Sequence, residues 1–158
     1  MDFVNVVVKP FIKVTIECFD SMMGIPLKFK EIKTVTSRHK ENGVYALIGF
    51  TGDMEGMIAI SIPDKAARNV IGRFIGENIE QIDEDAIDAV GEIINIIAGA
   101  KRNITGYNLT MSLPSVMYGS PLMVALPRNV PVISTSFLGA KEDLGEIVLF
   151  VCLKPLKG

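Results

Sequence analysis

Histidine and cysteine are scarce in this chain, and tryptophan is absent. The 158 residues contain one histidine, His39, and two cysteines, Cys18 and Cys152. Each cysteine lies inside an apolar run, without a CxxC partner or a basic neighbour that would activate it, so we expect two buried thiols. One histidine and no cysteine cluster leave no ligand set for zinc and no Ser-His-Asp triad. His39 falls in the polar stretch 37–43, which we expect to be a loop.

A concentrated positive charge is also missing. The chain has 16 lysines and arginines against 18 aspartates and glutamates, a formal net charge of -2, and no basic cluster longer than a pair. Binding to a phosphate backbone needs a basic face. We therefore expect no nucleic-acid partner.

Long apolar runs are lacking as well. The longest clean apolar run, residues 147–153, is far shorter than the roughly 20 residues that cross a bilayer. Residues 1–3 lack the positive start of a secretory signal. We expect a cytoplasmic protein with no membrane partner. The length of 158 residues and the 49% hydrophobic content are typical of a globular protein and predict a single domain over 1–158.

The order of the predicted elements indicates an α+β fold. Helical spacing of apolar residues predicts an N-terminal helix ending at Met23, which starts either near Asn5 with a kink or at Lys9. A short helix follows Pro63-Asp64 and closes at Gly76, and a long helix covers 83–105. Strand patterns cover 27–36, 44–51, 56–62, 109–113, 122–126, 131–138 and 146–153. Prolines 114, 121, 127 and 131 are expected to mark breaks between strands. Consecutive strands predict a largely antiparallel sheet packed against long helices.

The long helix has two opposed faces. Negative residues 83–85 at its start and Lys101-Arg102 near its end suit the helix dipole, and Gly106 follows as a stop. At about 100° per residue, the apolar residues share one face, which we expect to be buried: Ala86, Val90, Ile93, Ile94, Ile97 and Ile104. A polar stripe lies nearly opposite and consists of Asp88, Glu92, Asn95 and Gly99.

The composition of the polar stripe is unusual for a solvated face. Asn and Gly weaken a helix interior by about 0.7 and 1 kcal/mol relative to Ala, yet Gly91, Asn95 and Gly99 lie in a helix whose ends are well capped. When a few residues contradict the helix preference of an otherwise well-formed helix, they often belong to a functional site. From periodicity alone an ordinary solvated face remains the simpler interpretation, and the two glycines would also suit tight packing with a neighbouring helix.

Residues 88–99, with the sequence DAVGEIINIIAG, resemble the active-site helix of the CheC, CheX and FliY phosphatases of chemotaxis. That family carries Asp or Ser, then Glu after three intervening residues, Asn after two more, and a distal proline. Asp88, Glu92 and Asn95 match, and Pro114 is the candidate proline, after a somewhat short spacer of eighteen residues. The N-terminal helix has Asp20 where a second site would need Asn. The resemblance covers nearly the whole chain and favours a CheX-like member with a CheC-like fold.

The resemblance implies a hydrolase that dephosphorylates the aspartyl phosphate of a CheY-type response regulator. It implies Glu92 and Asn95 as catalytic residues, with Asn95 positioning the attacking water and Glu92 docking the partner. Asp88, Gly99 and Pro114 are implied as partner-binding residues. We expect no cofactor or metal on this chain, and Mg²⁺ on the partner. The resemblance also implies a homodimer and leaves a CheD-like partner undecided.

Two functions from other classes stay open. A non-catalytic adaptor could bind a response regulator or a flagellar switch component through the same stripe. The amide of Asn95 favours the enzyme, because binding alone would not require it. A small-molecule sensor with a pocket between helices and sheet is the third alternative, although nothing in the sequence marks a ligand.

Overall fold

The computed structural model describes residues 2–35, 38–126 and 129–156, with the backbone alone at 38–41. Its elements in chain order are α1 (Lys9–Met23), β1 (Leu27–Val35), β2 (Arg38–Gly52), β3 (Met54–Pro63), α2 (Asp64–Ile75), α3 (Glu84–Ala98), β4 (Leu109–Met111), β5 (Ser115–Ala125), β6 (Val132–Gly139) and β7 (Ile147–Pro155). A π-helical turn, Val4–Val8, leads into α1, and a 3-10 turn, Gly99–Asn103, continues α3.

The strands form one sheet in which every pairing is antiparallel. The order is β1-β6-β7-β3-β2. On the outer side of β2, β4 pairs with residues 50–52 and β5 pairs with residues 38–47. The predicted α+β class with a largely antiparallel sheet is confirmed.

Alternation along the strands divides the apolar core between the two faces of the sheet. Ile58 and Ile60 of β3 belong to the larger core, which also contains buried apolar residues from all three helices. Ala59, between them, packs in a smaller cluster on the opposite face with Tyr45 and Phe150. The helices therefore lie on one face of the sheet, and this packing decides which side of α3 is left open.

The N-terminal helix follows the earlier of the two predicted starts, near Asn5. Helical backbone runs from Phe3, through the π-helical turn, into α1 without a break at Pro10. Pro10 is the second residue of α1, which follows directly on this π-helical turn. At the other end, Gly24 adopts a left-handed conformation (φ 66°) and stops the helix at Met23, as predicted.

Two predictions about β2 and β5 were wrong. His39 belongs to β2, paired with Val124 of β5, and not to a loop. Pro121 lies inside β5 rather than between strands. Among the described strands β5 pairs with β2 alone, and such an edge strand accommodates a residue that has no N–H to donate. Thr36 and Pro127, at two predicted boundaries, lie outside the described residues.

Within residues 2–35, 38–126 and 129–156, no helix combines the length and the apolar character required to cross a lipid bilayer.

Candidate functional site

α3 is fixed at its N-terminus by a side-chain cap. The Asp83 carboxylate accepts a hydrogen bond from the backbone N–H of Ala86 at 2.9 Å, which satisfies one of the free N–H groups of the first turn. Glu84 and Asp85 add negative charge at the positive end of the helix dipole. The cap sets where the helix begins and hence which residues share each face.

The α-helical part ends earlier than predicted. It stops at Ala98, and the predicted extension towards Thr105 is partly a 3-10 turn, Gly99–Asn103. Within that turn the Arg102 side chain donates to the Gly99 carbonyl at 3.0 Å. Basic side chains commonly satisfy carbonyls at the end of a helix in this way. Gly99 is thus the last residue of the polar stripe and the first of the tighter turn.

The buried face of α3 is the predicted one. All six predicted residues are buried: Ala86, Val90, Ile93, Ile94, Ile97 and Ile104. On the other side, Asp88 and Glu92 are exposed, whereas Asn95 and Gly99 are half-buried. The polar stripe therefore faces outward, with its carboxylates more open than its amide.

Within the part of the chain that the structure describes, Asp88, Glu92 and Asn95 have no side-chain hydrogen bond or ion pair. Glu92 and Asn95 are three residues apart on α3, so they are neighbours on the helix surface. A carboxylate accepts hydrogen bonds only, whereas a carboxamide both accepts and donates. The pair thus offers two different hydrogen-bonding groups to an approaching molecule.

A surface pocket of about 450 Å³ adjoins the stripe. Its lining consists of Ile87, Asp88, Gly91, Glu92, Pro114 and Val116. It brings three predicted site residues together, namely Asp88, Glu92 and Pro114. Asn95 and Gly99 lie outside this lining, further along the same helix.

Gly91 explains how Pro114 reaches α3. A Cβ on Gly91 would lie 3.4 Å from Pro114 Cγ and 3.8 Å from Val116 Cγ2. The close neighbour of Gly91 is therefore the segment that leads from β4 into β5, and not a neighbouring helix. At Gly99 a Cβ would meet only the Arg102 guanidinium, at 3.5 Å, so the space beside Gly99 is bounded by a flexible side chain.

Sequence reasoning missed Ile87 and Val116, which add apolar walls to the pocket. Ile87 lies between the two faces of α3 on a helical wheel, so periodicity alone gives it no role. Val116 follows Pro114 by two residues, and alternation along β5 could have placed it on the same side. Neither signal indicates a site without knowledge that β5 packs on α3.

A larger cavity, of about 680 Å³, lies at the C-terminal end of α2, with Arg73, Gly76 and Ile79 among its lining residues. Two of its polar side chains are already paired with Glu142: Asn69 donates to it at 2.7 Å, and Arg73 forms an ion pair at 3.0 Å. These contacts tie α2 to the segment between β6 and β7. They give the cavity a structural explanation that the polar stripe on α3 lacks.

Metal chemistry would need a cluster of ligands. In the described ranges no group of three or more His, Cys, Asp or Glu side chains is placed to hold a metal ion. The expectation that this chain carries no cofactor stays a prediction.

An antiparallel sheet covered on one face by helices is the CheC-like fold, which solved structures of CheX and CheC-like proteins share with this chain. A family model described as chemotaxis phosphatase CheX matches residues 44–138. The chain belongs to this CheX family, and it is a phosphatase. The predicted family and enzyme class are confirmed.

Individual relatives agree with this assignment. The curated CheY-P phosphatase CheX of Thermotoga maritima is 29% identical over 112 residues, which cover 68% of this chain and 72% of that protein. The crystal structure of a chemotaxis protein CheX from Desulfovibrio desulfuricans is 28% identical, with a TM-score of 0.83 over 93% of this chain and 98% of that one. The CheX-CheY-BeF3-Mg complex from Borrelia burgdorferi shares the fold, with a TM-score of 0.75 at 17% identity over 93% of this chain and 97% of that one.

Proposed function

We propose that this chain hydrolyses the aspartyl phosphate of a CheY-type response regulator, with Asn95 positioning the attacking water and Glu92 docking the partner. The observation that carries the proposal is the outward-facing pair on α3, exposed at Glu92 and half-buried at Asn95, with neither side chain engaged within the described residues. The Thermotoga maritima relative is named a CheY-P phosphatase, and the Borrelia burgdorferi structure is a complex with CheY. Both support this substrate class.

The reaction needs little from the enzyme beyond geometry. Water attacks the phosphorus in line with the aspartyl oxygen, the bond between that oxygen and phosphorus breaks, and inorganic phosphate leaves with the carboxylate restored. The regulator supplies Mg²⁺ to balance the charge of the phosphoryl group. The Asn95 carbonyl accepts a hydrogen bond from the water, and its NH₂ group donates to a phosphoryl oxygen. Positioning of this kind lowers the barrier by removing the entropy loss of orienting the water.

Glu92 has a different task. As an exposed carboxylate one turn before Asn95, it pairs with a lysine on the regulator and so sets the depth to which α3 enters the phosphorylated pocket. Asp88 lies one turn further away, in the same surface pocket as Glu92, and contacts the rim of the partner. Pro114 forms the opposite wall, and the small residue Gly99 lets the partner approach the end of the helix.

The direct test is an assay with a purified phosphorylated CheY-type receiver domain and Mg²⁺, in which loss of the phosphoryl group is followed with and without this protein. A shorter lifetime of the phosphoryl group in its presence supports the proposal. An unchanged lifetime, with the protein nevertheless bound to the receiver, would instead identify a non-catalytic adaptor.

Further predictions about partners belong to the same proposal. We propose a homodimer, which sedimentation of the purified protein tests. Binding of a CheD-like protein is tested by adding it to the phosphatase assay. A cytoplasmic location is proposed because chemotaxis regulators act there, and fractionation of cells tests it.

A further inference from the structure

An apolar side chain projects into solvent beside the surface pocket. Leu113 is 87% exposed, the highest value among the large hydrophobic residues that the structure describes as exposed. It directly precedes Pro114, which lines the pocket together with Asp88 and Glu92. Single exposed leucines are common on protein surfaces, so the position of Leu113, and not its exposure alone, requires an explanation.

The backbone on both sides of Leu113 is held in place. On one side, Ser112 donates its N–H to the Gly49 carbonyl at 2.9 Å, and the Ser112 hydroxyl accepts from the Gly49 N–H at 2.9 Å. The same hydroxyl donates to the Leu113 carbonyl at 2.9 Å. On the other side, Pro114 packs against Gly91 of α3. Leu113 is therefore presented by a fixed segment.

An exposed apolar side chain on a fixed backbone suits binding better than folding. Leu113 buries little surface within the chain, so it adds little hydrophobic stabilisation to the fold. Because its backbone is already ordered, a partner that covers it loses less conformational entropy than one that must order a loop. Covering this side chain with a partner removes its apolar surface from water and therefore favours binding.

We propose that Leu113 is an apolar anchor that packs on the response regulator beside its phosphorylation site. The inference rests on the proposed function, because the occupant is the regulator. The reason is continuity: Pro114 is next to Leu113 in the chain and shares the pocket with Glu92. A partner that covers Glu92 and Pro114 comes within reach of Leu113, and we assign the polar and apolar contacts to one interface.

The test compares Leu113→Ser with Met123→Ser, a matched control on β5 that is 69% exposed and lines no part of the pocket. With a phosphorylated receiver domain as substrate, Leu113→Ser is expected to raise KM about tenfold, as for loss of an interface anchor, while kcat stays near that of the unsubstituted protein. Met123→Ser should leave both constants unchanged. Leu113→Met, which retains an apolar side chain of similar volume, should restore most of the affinity.

Three outcomes would contradict the proposed role of Leu113. The first is an unchanged KM for Leu113→Ser. The second is a fall in kcat without a change in KM, which would mean that Leu113 acts on the chemistry. The third is a shift of Leu113→Ser to a smaller species in sedimentation velocity, which would mean that a second copy of this chain covers Leu113.

Titration with a beryllofluoride-activated receiver separates this inference from the proposed function. If the unsubstituted protein binds the receiver without dephosphorylating it, the proposed function fails while weaker binding by Leu113→Ser still supports the anchor. If the unsubstituted protein dephosphorylates the receiver and Leu113→Ser binds it equally well, the anchor fails alone. If the unsubstituted protein does not bind the receiver, both fail.

Discussion

Glu92 and Asn95 are adjacent on the surface of α3, but their side chains suit different steps. The carboxylate reaches into solvent, where it attracts a cationic partner group at a distance. The carboxamide carries no net charge and acts only through the direction of its hydrogen bonds. This difference predicts that substitutions at the two positions change different kinetic constants.

We predict that Glu92→Ala weakens binding of the phosphorylated regulator as well as slowing turnover. Truncation of one partner of a charge pair at an interface typically costs about 2–5 kcal/mol when the pair is desolvated. Glu92→Gln, which keeps the shape and removes the charge, should lose most of the same affinity. Titration of each variant with a beryllofluoride-activated receiver measures the effect. Equal affinity of Glu92→Ala and the unsubstituted protein would exclude the docking role.

The outward direction of these side chains could be predicted from the sequence, whereas the pocket beside them could not. Helical periodicity fixes the relation of Glu92 to the buried residues of α3 before any tertiary structure is known. The contact of Pro114 with Gly91 depends on where the chain passes after β4, and that path is set by Ser112 bonding to β2 at Gly49. No local pattern contains that information.

α3 is the element on which the site depends, and its N-terminal cap is the feature that the sequence predicted best. The acidic run 83–85 marked the start of the helix, and Asp83 is the capping residue. The predicted C-terminal end of α3 lies beyond the observed one. Lys101, Arg102 and Gly106 are residue types typical of helix ends, but here they follow the α-helical part. The chain leaves the α-helical geometry at Gly99 instead, a residue with weak helix propensity.

We predict that Asp83→Ala lowers the free energy of unfolding by about 1 kcal/mol, the usual loss for an N-cap. For a chain of this size that corresponds to a fall in Tm of about 2–4 °C. Asp83→Asn should retain most of the stability, because its side-chain oxygen still accepts from the Ala86 N–H. Glu80→Ala, an exposed acidic residue outside the helix, is the matched control for loss of charge alone.

Thermal unfolding followed by circular dichroism makes this comparison. If Asp83→Ala and Glu80→Ala shifted the midpoint equally, the capping bond would contribute nothing beyond charge.

The strands illustrate a second limit of local patterns. β3 and β7 are buried on both faces of the sheet, and their apolar runs predicted them well. The first parts of β2 and of β5 were missed because they are polar or contain Pro121, features that usually mark loops. Both lie in the segments where β2 pairs with the edge strand β5, and strand propensities depend strongly on such context. Edge position is a property of the finished sheet and cannot be read from either segment alone.

At the scale of the whole molecule, both cysteines are buried, as predicted. Cys18 of α1 lies in the core on the helix side of the sheet, and Cys152 of β7 lies in the cluster on the opposite face. Burial raises the pKa of the Cys18 thiol to about 11 and also raises the pKa of Cys152. Burial disfavours the charged thiolate, so at pH 8 both thiols stay protonated in the folded protein. Because the thiolate is the reactive form, neither should act as a nucleophile.

We predict that the folded protein reacts very slowly with a thiol reagent at pH 8, and that both thiols react at once in denaturant. The rate of reaction should follow the global unfolding rate as denaturant is raised, since access requires the core to open. Rapid reaction of the folded protein would contradict the burial of the Cys18 thiol.

Stability should also fall as pH rises above the pKa of the unfolded thiol, because the thiol of the unfolded state then ionises while folded Cys18 stays protonated. Cys18→Ala should show a smaller loss of stability at high pH.

The central claim is that the Asn95 carboxamide positions the attacking water. Its most direct test is the single-turnover rate of phosphoryl loss from a phosphorylated receiver domain at saturating Asn95→Ala, with the fold checked by circular dichroism. Loss of one positioning group predicts a rate lower by about 100-fold, with binding of the receiver largely retained. A rate equal to that of the unsubstituted protein, at full saturation, would contradict the claim.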